Sequence, residues 1–198
     1  MKNFYILFLF IFSSISYAQP NEGAIMTENG ILMFNNKGQD SFTFYFENET
    51  DLDNFPFVRQ NNKIFQFRIE EKDKMNFDPN NILNDYMKWE ADHFIQTLKG
   101  IEFSYNEIQS INKLETNFWK LTLPDLKSKE NTNPVKAMYF IDFSTQNKLF
   151  RIAYSSFNDD DNEAKSLLHS HVNNFKLYPN GIDFEKLIKN VKKGINYY

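Results

Sequence analysis

The chain has 198 residues, of which 26 are acidic and 22 are basic, so its net charge is −4. A mildly acidic surface is poorly suited to nucleic acid, whose phosphates bind clustered Lys and Arg side chains. The chain has no cysteine, which excludes both a disulfide framework and a cysteine-ligated metal. Its length is typical of one domain that can bury a core without disulfides.

The N-terminus has the three-part pattern of a secretory signal. Lys2 precedes the apolar run Phe4–Phe12, and the small residues Ser16 and Ala18 follow at the positions expected before a cleavage site. An uncleaved membrane anchor is the alternative, but a bilayer span takes about 20 apolar residues, more than this run provides. No cysteine lies near the cleavage site, which excludes a lipoprotein. We therefore expect an exported protein, periplasmic or secreted, with no membrane span after cleavage before Gln19.

Strand patterns dominate the first part of the mature chain. Asn29-Gly30 is a strong hairpin signal because both residues tolerate positive φ, and it separates the apolar runs Ala24–Thr27 and Ile31–Phe34. Ser41–Glu47 alternates strictly, which predicts a half-buried antiparallel strand. The phenylalanines of that strand share one face: Phe42, Phe44 and Phe46. The pattern then predicts a loop at Asp51–Pro56 and strands at Phe57–Arg59 and Lys63–Glu70.

The period then changes to that of a helix. Asp78 and Pro79 offer an N-cap and a favourable first helical position, and Gly100 offers a stop signal. Apolar residues between them recur every three or four positions, which predicts a long helix. These residues are Leu83, Met87, Ala91, Phe94 and Leu98. Strands are predicted at Ile101–Ile108, Leu114–Leu123, Val135–Thr145 and Leu149–Ser156, with a polar loop from Pro124 to Pro134.

Two more helices are predicted near the C-terminus. The acidic run Asp159–Glu163 opens the first, and Asp183–Lys193 has the pattern of a shorter one. The apolar face of the first comprises Ala164, Leu167, Leu168, His171, Val172 and Phe175. We expect a signal peptide at 1–18, a single domain at 19–178 and a short C-terminal helical extension at 179–198. Grouped strands predict an α+β fold, an antiparallel β-sheet with a long central helix and a C-terminal helix packed on one face.

The order of elements between Ser41 and Leu177 resembles the PsbP-like domains, also called Mog1/PsbP or DcrB-like. The resemblance lies in an aromatic-rich strand, a polar turn before a long helix, an aromatic in the next strand pair, a hairpin and a closing strand. The corresponding segments here are Phe42–Phe46, Asp78–Ile82, Phe118–Leu121, Tyr139–Phe143 with Leu149–Tyr154, and Asn174–Leu177. The resemblance implies an α+β fold and a mostly non-enzymatic family, and it transfers no binding residues.

Two roles fit the acidic run before the second helix. Calcium binds several carboxylate oxygens on a tight loop, and Asp159, Asp161 and Glu163 have EF-hand spacing. However, the glycine and the final Glu of that loop are missing. Helix capping is the other role, because Asp160 and Glu163 are spaced as in a capping box and negative charge stabilises a helix N-terminus. We expect capping.

Other polar residues suggest no chemistry. His169 and His171 are two apart, so on a helix they point in nearly opposite directions and cannot share a metal. We expect His171 half-buried on the apolar face, His169 exposed, and His93 alone on the long helix. The chain contains neither a Gly-x-Ser-x-Gly motif nor a glycine-rich phosphate loop. The sequence therefore predicts no catalytic, cofactor-binding or metal-binding residue, and no enzyme.

Two pairs of side chains have a structural interpretation and a functional one. Glu70 and Glu71 are carboxylates of the kind used in acid–base catalysis, but we expect them to be solvated charge at a strand end. Trp89 and Trp119 are suited to stacking on sugars or lipids, although packing in the core or at its rim is the more usual role.

Three functions remain open. The expected one is a non-catalytic binding or accessory module of the bacterial envelope, with an unknown protein partner. The second is a carrier for a small apolar ligand held between the Phe-rich sheet and the long helix, which an enclosed apolar cavity would favour. The third is an enzyme without a local motif, which a cleft with converging polar groups and perturbed pKa values would favour.

Signal cleavage gives a direct test. N-terminal sequencing of the exported protein should start at Gln19, because Ser16 and Ala18 occupy the positions before the cut. A chain that retains Met1 in the exported fraction would contradict this prediction.

Overall fold

A computed structural model of the chain describes residues 23–26, 31–35, 41–45, 50–54, 57–124, 134–145, 147–179 and 181. Along the described residues the strands and helices follow in this order: β1 Gly23–Met26, β2 Ile31–Asn35, β3 Ser41–Tyr45, β4 Thr50–Asn54, β5 Phe57–Gln60, β6 Lys63–Glu71, α1 Ile82–Thr97, β7 Glu102–Ile111, β8 Leu114–Thr122, β9 Ala137–Ser144, β10 Lys148–Ser156, α2 Asp161–Asn173 and β11 Phe175–Tyr178. A short 3-10 turn at Lys72–Lys74 precedes α1.

The strands form two antiparallel sheets. One has the order β1-β2-β3-β11, and the other has the order β4-β5-β6-β10-β9-β8-β7. The predicted α+β class and antiparallel pairing are therefore confirmed. The first hairpin is also confirmed, since Ala24 pairs with Phe34 and Met26 with Leu32.

The two helices lie on opposite faces of the seven-stranded sheet, which corrects the expectation that both pack on one face. In β9, Ile141 and Phe143 point into a hydrophobic cluster with Leu168 of α2. The alternate residues Met138 and Phe140 point into a second cluster with α1. Because β9 is buried along both faces, each face needs its own cover, and one layer of helices cannot supply both.

Phenylalanine fills the face of the large sheet that is shared by α2 and the small sheet. Phe42 of the small sheet meets Phe150 of the large sheet edge-on at 4.8 Å between ring centroids, and Phe175 meets Phe143 at 5.1 Å. Such pairs contribute roughly 0.5–1.5 kcal/mol each beyond the area they bury. The small sheet is therefore held against the large one mainly by aromatic packing.

Strand β3 is confirmed, but it is buried on both faces and not on one. Phe42 and Phe44 enter the core as predicted, while Ser41 and Thr43 on the other face are also buried. The backbone at Gly181 passes beside Ser41, where an added Cβ would lie 3.8 Å from the hydroxyl oxygen. The strict alternation therefore predicts the strand and its inward face, but not what covers the outward face.

The long helix begins later than predicted. The Asp78 carboxylate accepts a hydrogen bond from the Asn80 N–H at 2.9 Å, which forms an Asx turn in place of a cap. The helix starts at Ile82, with Asn81 as its N-cap residue. Gly100, with φ of +80°, follows the last turn as expected.

A strand occupies Asp51–Asn54, which was predicted as part of a loop at Asp51–Pro56, and the rest of that range lies outside the described residues. Thr50–Asn54 forms β4, which pairs with β5 through Thr50↔Gln60 and Asp51↔Arg59 before the register shifts. Its polar sequence has low strand propensity, but hydrogen bonds to β5 outweigh that local preference. The two predicted strands that follow are confirmed as β5 and β6, and the turn between them has positive φ at both Asn61 and Asn62.

Several predictions lie outside the described residues. These are the signal peptide, the turn at Asn29-Gly30, the centre of the loop between Pro124 and Pro134, and the helix Asp183–Lys193. Within the part of the chain that is described, no helix is long and apolar enough to cross a bilayer.

His171 is more deeply buried than predicted. Only 3% of the residue is exposed, and its ring meets the face of Phe65 edge-on at 4.5 Å. Burial lowers its pKa to about 4, because the apolar surroundings disfavour the charged imidazolium.

We expect this burial to make stability depend on pH. The unfolded chain binds a proton on His171 near the ordinary pKa of 6.5, whereas the folded chain does so only near 4. Stability should therefore fall as the pH drops through this window, by roughly 3 kcal/mol for this residue. Denaturant unfolding of wild type and His171→Leu from pH 6.5 to 4 measures the effect.

His169→Gln is the matched control, because the His169 pKa is also lowered by burial but the residue is only partly buried. Equal pH dependence in wild type and His171→Leu would contradict the account.

Candidate functional site

A buried cluster of charged and aromatic side chains lies between α1 and the large sheet. At its centre are Arg151 and Asp142, which are directly opposite in the β9–β10 hairpin and 2% and 0% exposed. The guanidinium binds the carboxylate through two bonds, Nε to Oδ1 at 2.7 Å and Nη2 to Oδ2 at 2.9 Å. The Trp119 indole N–H donates to the same Oδ2 at 2.8 Å. The Asp142 carboxylate is therefore bound by the Arg151 guanidinium through two hydrogen bonds and by one neutral donor, the Trp119 indole.

The guanidinium of Arg151 is also enclosed by aromatic rings. It lies 4.0 Å from the ring centre of Tyr86 and 4.9 Å from that of Trp119. The Glu90 Oε1 of α1 lies 3.2 Å from Nη1 and also binds Arg68 of β6. Burial alone would lower the Arg151 pKa, but the interactions with Asp142, Tyr86 and Glu90 together outweigh it, so the pKa is raised and Arg151 stays charged.

The sequence analysis did not single out this cluster. Asp142 lies within Phe140–Phe143 and Arg151 within Leu149–Ile152, each surrounded by apolar residues. The signal that could have identified the pair is that Asp142 and Arg151 carry opposite charges at equivalent positions on the two strands of a predicted hairpin. With 0–2% of Asp142, Glu90 and Arg151 exposed, a substrate has no access to these groups. The cluster therefore attaches α1 to the sheet.

The acidic run at the start of α2 has a capping role. The Asp160 side chain accepts the Glu163 N–H at 3.0 Å, which confirms the predicted cap. The return bond of a capping box is replaced, because the Glu163 carboxylate binds Lys63 at 2.8 Å. Asp159 and Asp161 bind the Lys120 ammonium at 2.6 and 2.9 Å. The three carboxylates with EF-hand spacing thus form ion pairs with lysines, Glu163 with Lys63 and the two aspartates with Lys120.

Tyr139 completes this group beneath α2. Its hydroxyl donates to Asp161 at 2.6 Å and to Asp159 at 2.9 Å. Burial raises the Asp161 pKa, but hydrogen bonds from Tyr139 and Lys120 outweigh it, so the net pKa is lowered. The group is an ion-pair cluster that fixes the N-terminus of α2 on β8 and β9.

The remaining candidates differ partly from expectation. His169 is half-buried and not exposed, with its Nε2 2.5 Å from the Gln109 side chain. Glu70 and Glu71 are not simply solvated, because Arg68 and Lys148 bind them at 2.5 and 2.8 Å. His93 is half-buried on α1, apart from the other two histidines.

The two tryptophans separate into core and surface. Trp119 is fully buried and stacks on Phe140 at 3.9 Å. Trp89 on α1 is 43% exposed, and its ring stacks on that of Tyr86 at 6.2 Å. Packing is thus the role of Trp119, while Trp89 belongs to the rim over the buried cluster.

An open surface of the described residues is the edge of the large sheet that strand β7 forms, called the β7 edge below. Within the described strands β7 pairs only with β8. Most of its 10 residues are exposed, including the apolar side chains of Phe103 (38%) and Ile108 (47%). A polar cleft of about 80 Å³ adjoins Ile108 at the start of α1. It is lined by Lys72, Pro79, Asn80, Asn81, Ile82, Leu83, Asn84, Ile108, Glu115 and Ser144.

Comparison with solved structures found a protein of similar fold. The chain is similar to cyanobacterial PsbP (CyanoP) from Synechocystis sp. PCC 6803, with 15% identity and a TM-score of 0.47. The similarity covers 79% of this chain and 98% of the other. That protein is a PsbP, the family that the order of elements in the sequence resembles. No protein-family model and no curated protein matches the chain.

The buried cluster predicts a large loss of stability in Arg151→Met. The substitution would leave Asp142 without its cation in an apolar interior, a change that typically costs about 3–5 kcal/mol. Denaturant unfolding measures the loss, with Arg59→Met at a half-buried position as the matched control.

The double variant Arg151→Met with Asp142→Leu should be more stable than Arg151→Met alone, because it removes the uncompensated charge. A cost for Arg151→Met no larger than that for Arg59→Met would contradict the central role of the pair.

Proposed function

We propose that this protein is an exported, non-catalytic binding module that recognises a partner protein at the β7 edge. The observation that carries the proposal is a long edge strand with exposed apolar side chains, Phe103 and Ile108. Natural proteins usually shorten, cover or charge such edges, because open strands pair with other chains. An edge left long and partly apolar is typical of an interaction surface.

The placement of the charged groups supports a non-catalytic role. Catalytic acids and bases must reach a substrate, and the charged side chains of Arg151, Asp142 and Glu90 are shielded from solvent. The ion-pair cluster at the N-terminus of α2 is more exposed, but there Lys120 and the Tyr139 hydroxyl already bind the carboxylates of Asp159 and Asp161. The strongly perturbed pKa values of the described residues, such as those of Arg151 and His171, thus follow from burial and structural pairing.

The signal pattern at the N-terminus supports export, to the periplasm or beyond. An exported domain without cysteine depends on its core for stability. The aromatic packing on one face of the large sheet and the ionic cluster on the other provide that core. We assign the protein to the bacterial envelope as an accessory module.

The alternative of an apolar-ligand carrier has less support. It requires space between the sheet and the long helix, where Phe94 of α1 packs on Phe140 of β9 at 5.8 Å between ring centroids. The same layer contains the Arg151–Asp142 ion pair. A charged pair surrounded by packed rings disfavours a pocket for an apolar molecule.

Photo-crosslinking in the source cell tests the proposal. A photoreactive amino acid at Ile108 should give a discrete protein adduct, because this side chain lies on the exposed edge. Gln96 on the exposed side of α1 is the matched control position. Adduct yield, measured by immunoblot and mass spectrometry, should be much higher at Ile108. Equal yields at the two positions would contradict a partner at the β7 edge.

A further inference from the structure

The two faces of β7 differ in chemistry. Residues directly paired across antiparallel strands point to the same side of the sheet. Phe103 pairs with Leu121, which packs in the hydrophobic cluster beneath α1, so Phe103 points to the α1 side of the sheet. Ile108 pairs with Asn117, whose amide contacts Asn84 of α1 at 3.4 Å, so Ile108 points to the same side. The exposed apolar side chains therefore lie on one face.

The acidic side chains of β7 lie on the opposite face. Glu107 pairs with Phe118, which packs with α2, and its carboxylate binds Lys165 of α2 at 2.6 Å. Glu102 pairs with Thr122, which is on the same face of β8 as Phe118. The strand contains these two glutamates and no Lys, Arg or Pro. Its edge is thus apolar toward α1 and acidic toward α2.

The backbone of β7 is suited to pairing. Beyond a bulge between Phe103 and Tyr105, the strand keeps continuous register with β8 from Tyr105 to Ile111. In an antiparallel sheet, alternate N–H and C=O groups of an edge strand point away from its neighbour. An added strand can therefore form a ladder of main-chain hydrogen bonds, and its side chains can contact both faces of the edge.

We propose that the β7 edge binds an extended segment of a partner protein, with alternating apolar and basic residues, as an eighth strand of the large sheet. This deepens the proposed function, on which it rests, by naming the mode and chemistry of recognition. The apolar residues of the segment lie beside Phe103 and Ile108, and its basic residues lie beside Glu102 and Glu107. The Glu107 side chain is 47% exposed and keeps its ion pair with Lys165. Main-chain bonds supply affinity, and the alternation sets the register.

A second copy of this chain is a poorer occupant of the same edge. Pairing β7 with itself brings together two strands that each carry two glutamates and no basic residue. Like charges across a strand pair are destabilising, whereas Lys or Arg opposite Glu is stabilising.

Peptide binding tests the proposal directly. The probe is a fluorescent synthetic peptide that alternates lysine and valine and is long enough to span β7. We expect measurable binding by anisotropy, with slower hydrogen exchange of β7 amides in the complex. Two control peptides define the mode: one alternates glutamate and valine, and the other carries N-methyl groups on alternate residues and so cannot complete the ladder. Both should bind at least about tenfold more weakly.

Two surface variants separate local pairing from general attraction. Glu102→Lys should weaken binding of the lysine–valine peptide by on the order of tenfold and strengthen that of the glutamate–valine peptide. Asp92→Lys makes the same charge change on the exposed side of α1 and should leave both affinities nearly unchanged.

The proposal is overturned if the peptide does not bind, if N-methylation has no effect, or if both variants weaken binding equally. A concentration-dependent dimer that protects the β7 amides would assign the edge to a second copy and also overturn it. Crosslinking at Ile108 without peptide binding would leave the proposed function in place and remove only strand addition. Failure of the crosslinking test would instead remove the partner itself.

Discussion

The ion pair between Arg151 and Asp142 occupies the middle of the large sheet, on the side covered by α1. Burying two charges costs several kcal/mol per ion. The attraction within a pair of this geometry offsets much of that cost, so the pair adds little to the net free energy of folding. Its main effect is therefore specificity. A slip of one residue in the β9–β10 hairpin would place the two charges on opposite faces, and a slip of two would separate them. Only the observed register keeps both buried groups paired.

The same pair also positions the long helix. Glu90 and Tyr86 of α1 both contact the Arg151 guanidinium, one through its carboxylate and the other through its ring. Apolar packing by Met87 and Phe94 surrounds these contacts. Apolar contacts alone permit a helix to slide along a sheet, whereas a buried carboxylate must reach its cation. The ionic cluster thus sets where α1 lies, and with it the rim around Trp89.

Exposure of the β7 edge follows from the size of the helices. An α-helix with its side chains is about 10–12 Å wide, and neighbouring strands are about 4.8 Å apart, so one helix covers about two strands. α1 packs mainly on β8 and β9, and α2 mainly on β9 and β10. Both helices are held near the centre of the sheet by the clusters described above. Both helices also reach β7 at a few residues, as Lys165 of α2 does at Glu107, but most of the outermost strand stays exposed. The surface proposed for partner binding is thus a consequence of how the core is covered.

Local signals in the sequence were sufficient to predict the α+β class, the strands from β5 onward, the first hairpin, the cap at Asp160 and the apolar face of α2 from Ala164 to Val172. These depend on neighbours within a few residues, as periodicity, turn residues and capping do. Phe175 was predicted on that helix face, but it begins strand β11. Tertiary structure alone decided which face each helix covers, that Thr50–Asn54 joins a sheet, and that Glu163 binds Lys63 instead of its own helix start. It also decided that Arg151, Asp142 and Glu90 meet, and that Phe103 and Ile108 lie at an edge. In each case the deciding contact joins residues far apart in the chain. Hydrogen bonds to a neighbouring strand and the cost of burying an unpaired charge outweigh local preference, and neither can be calculated from the local sequence.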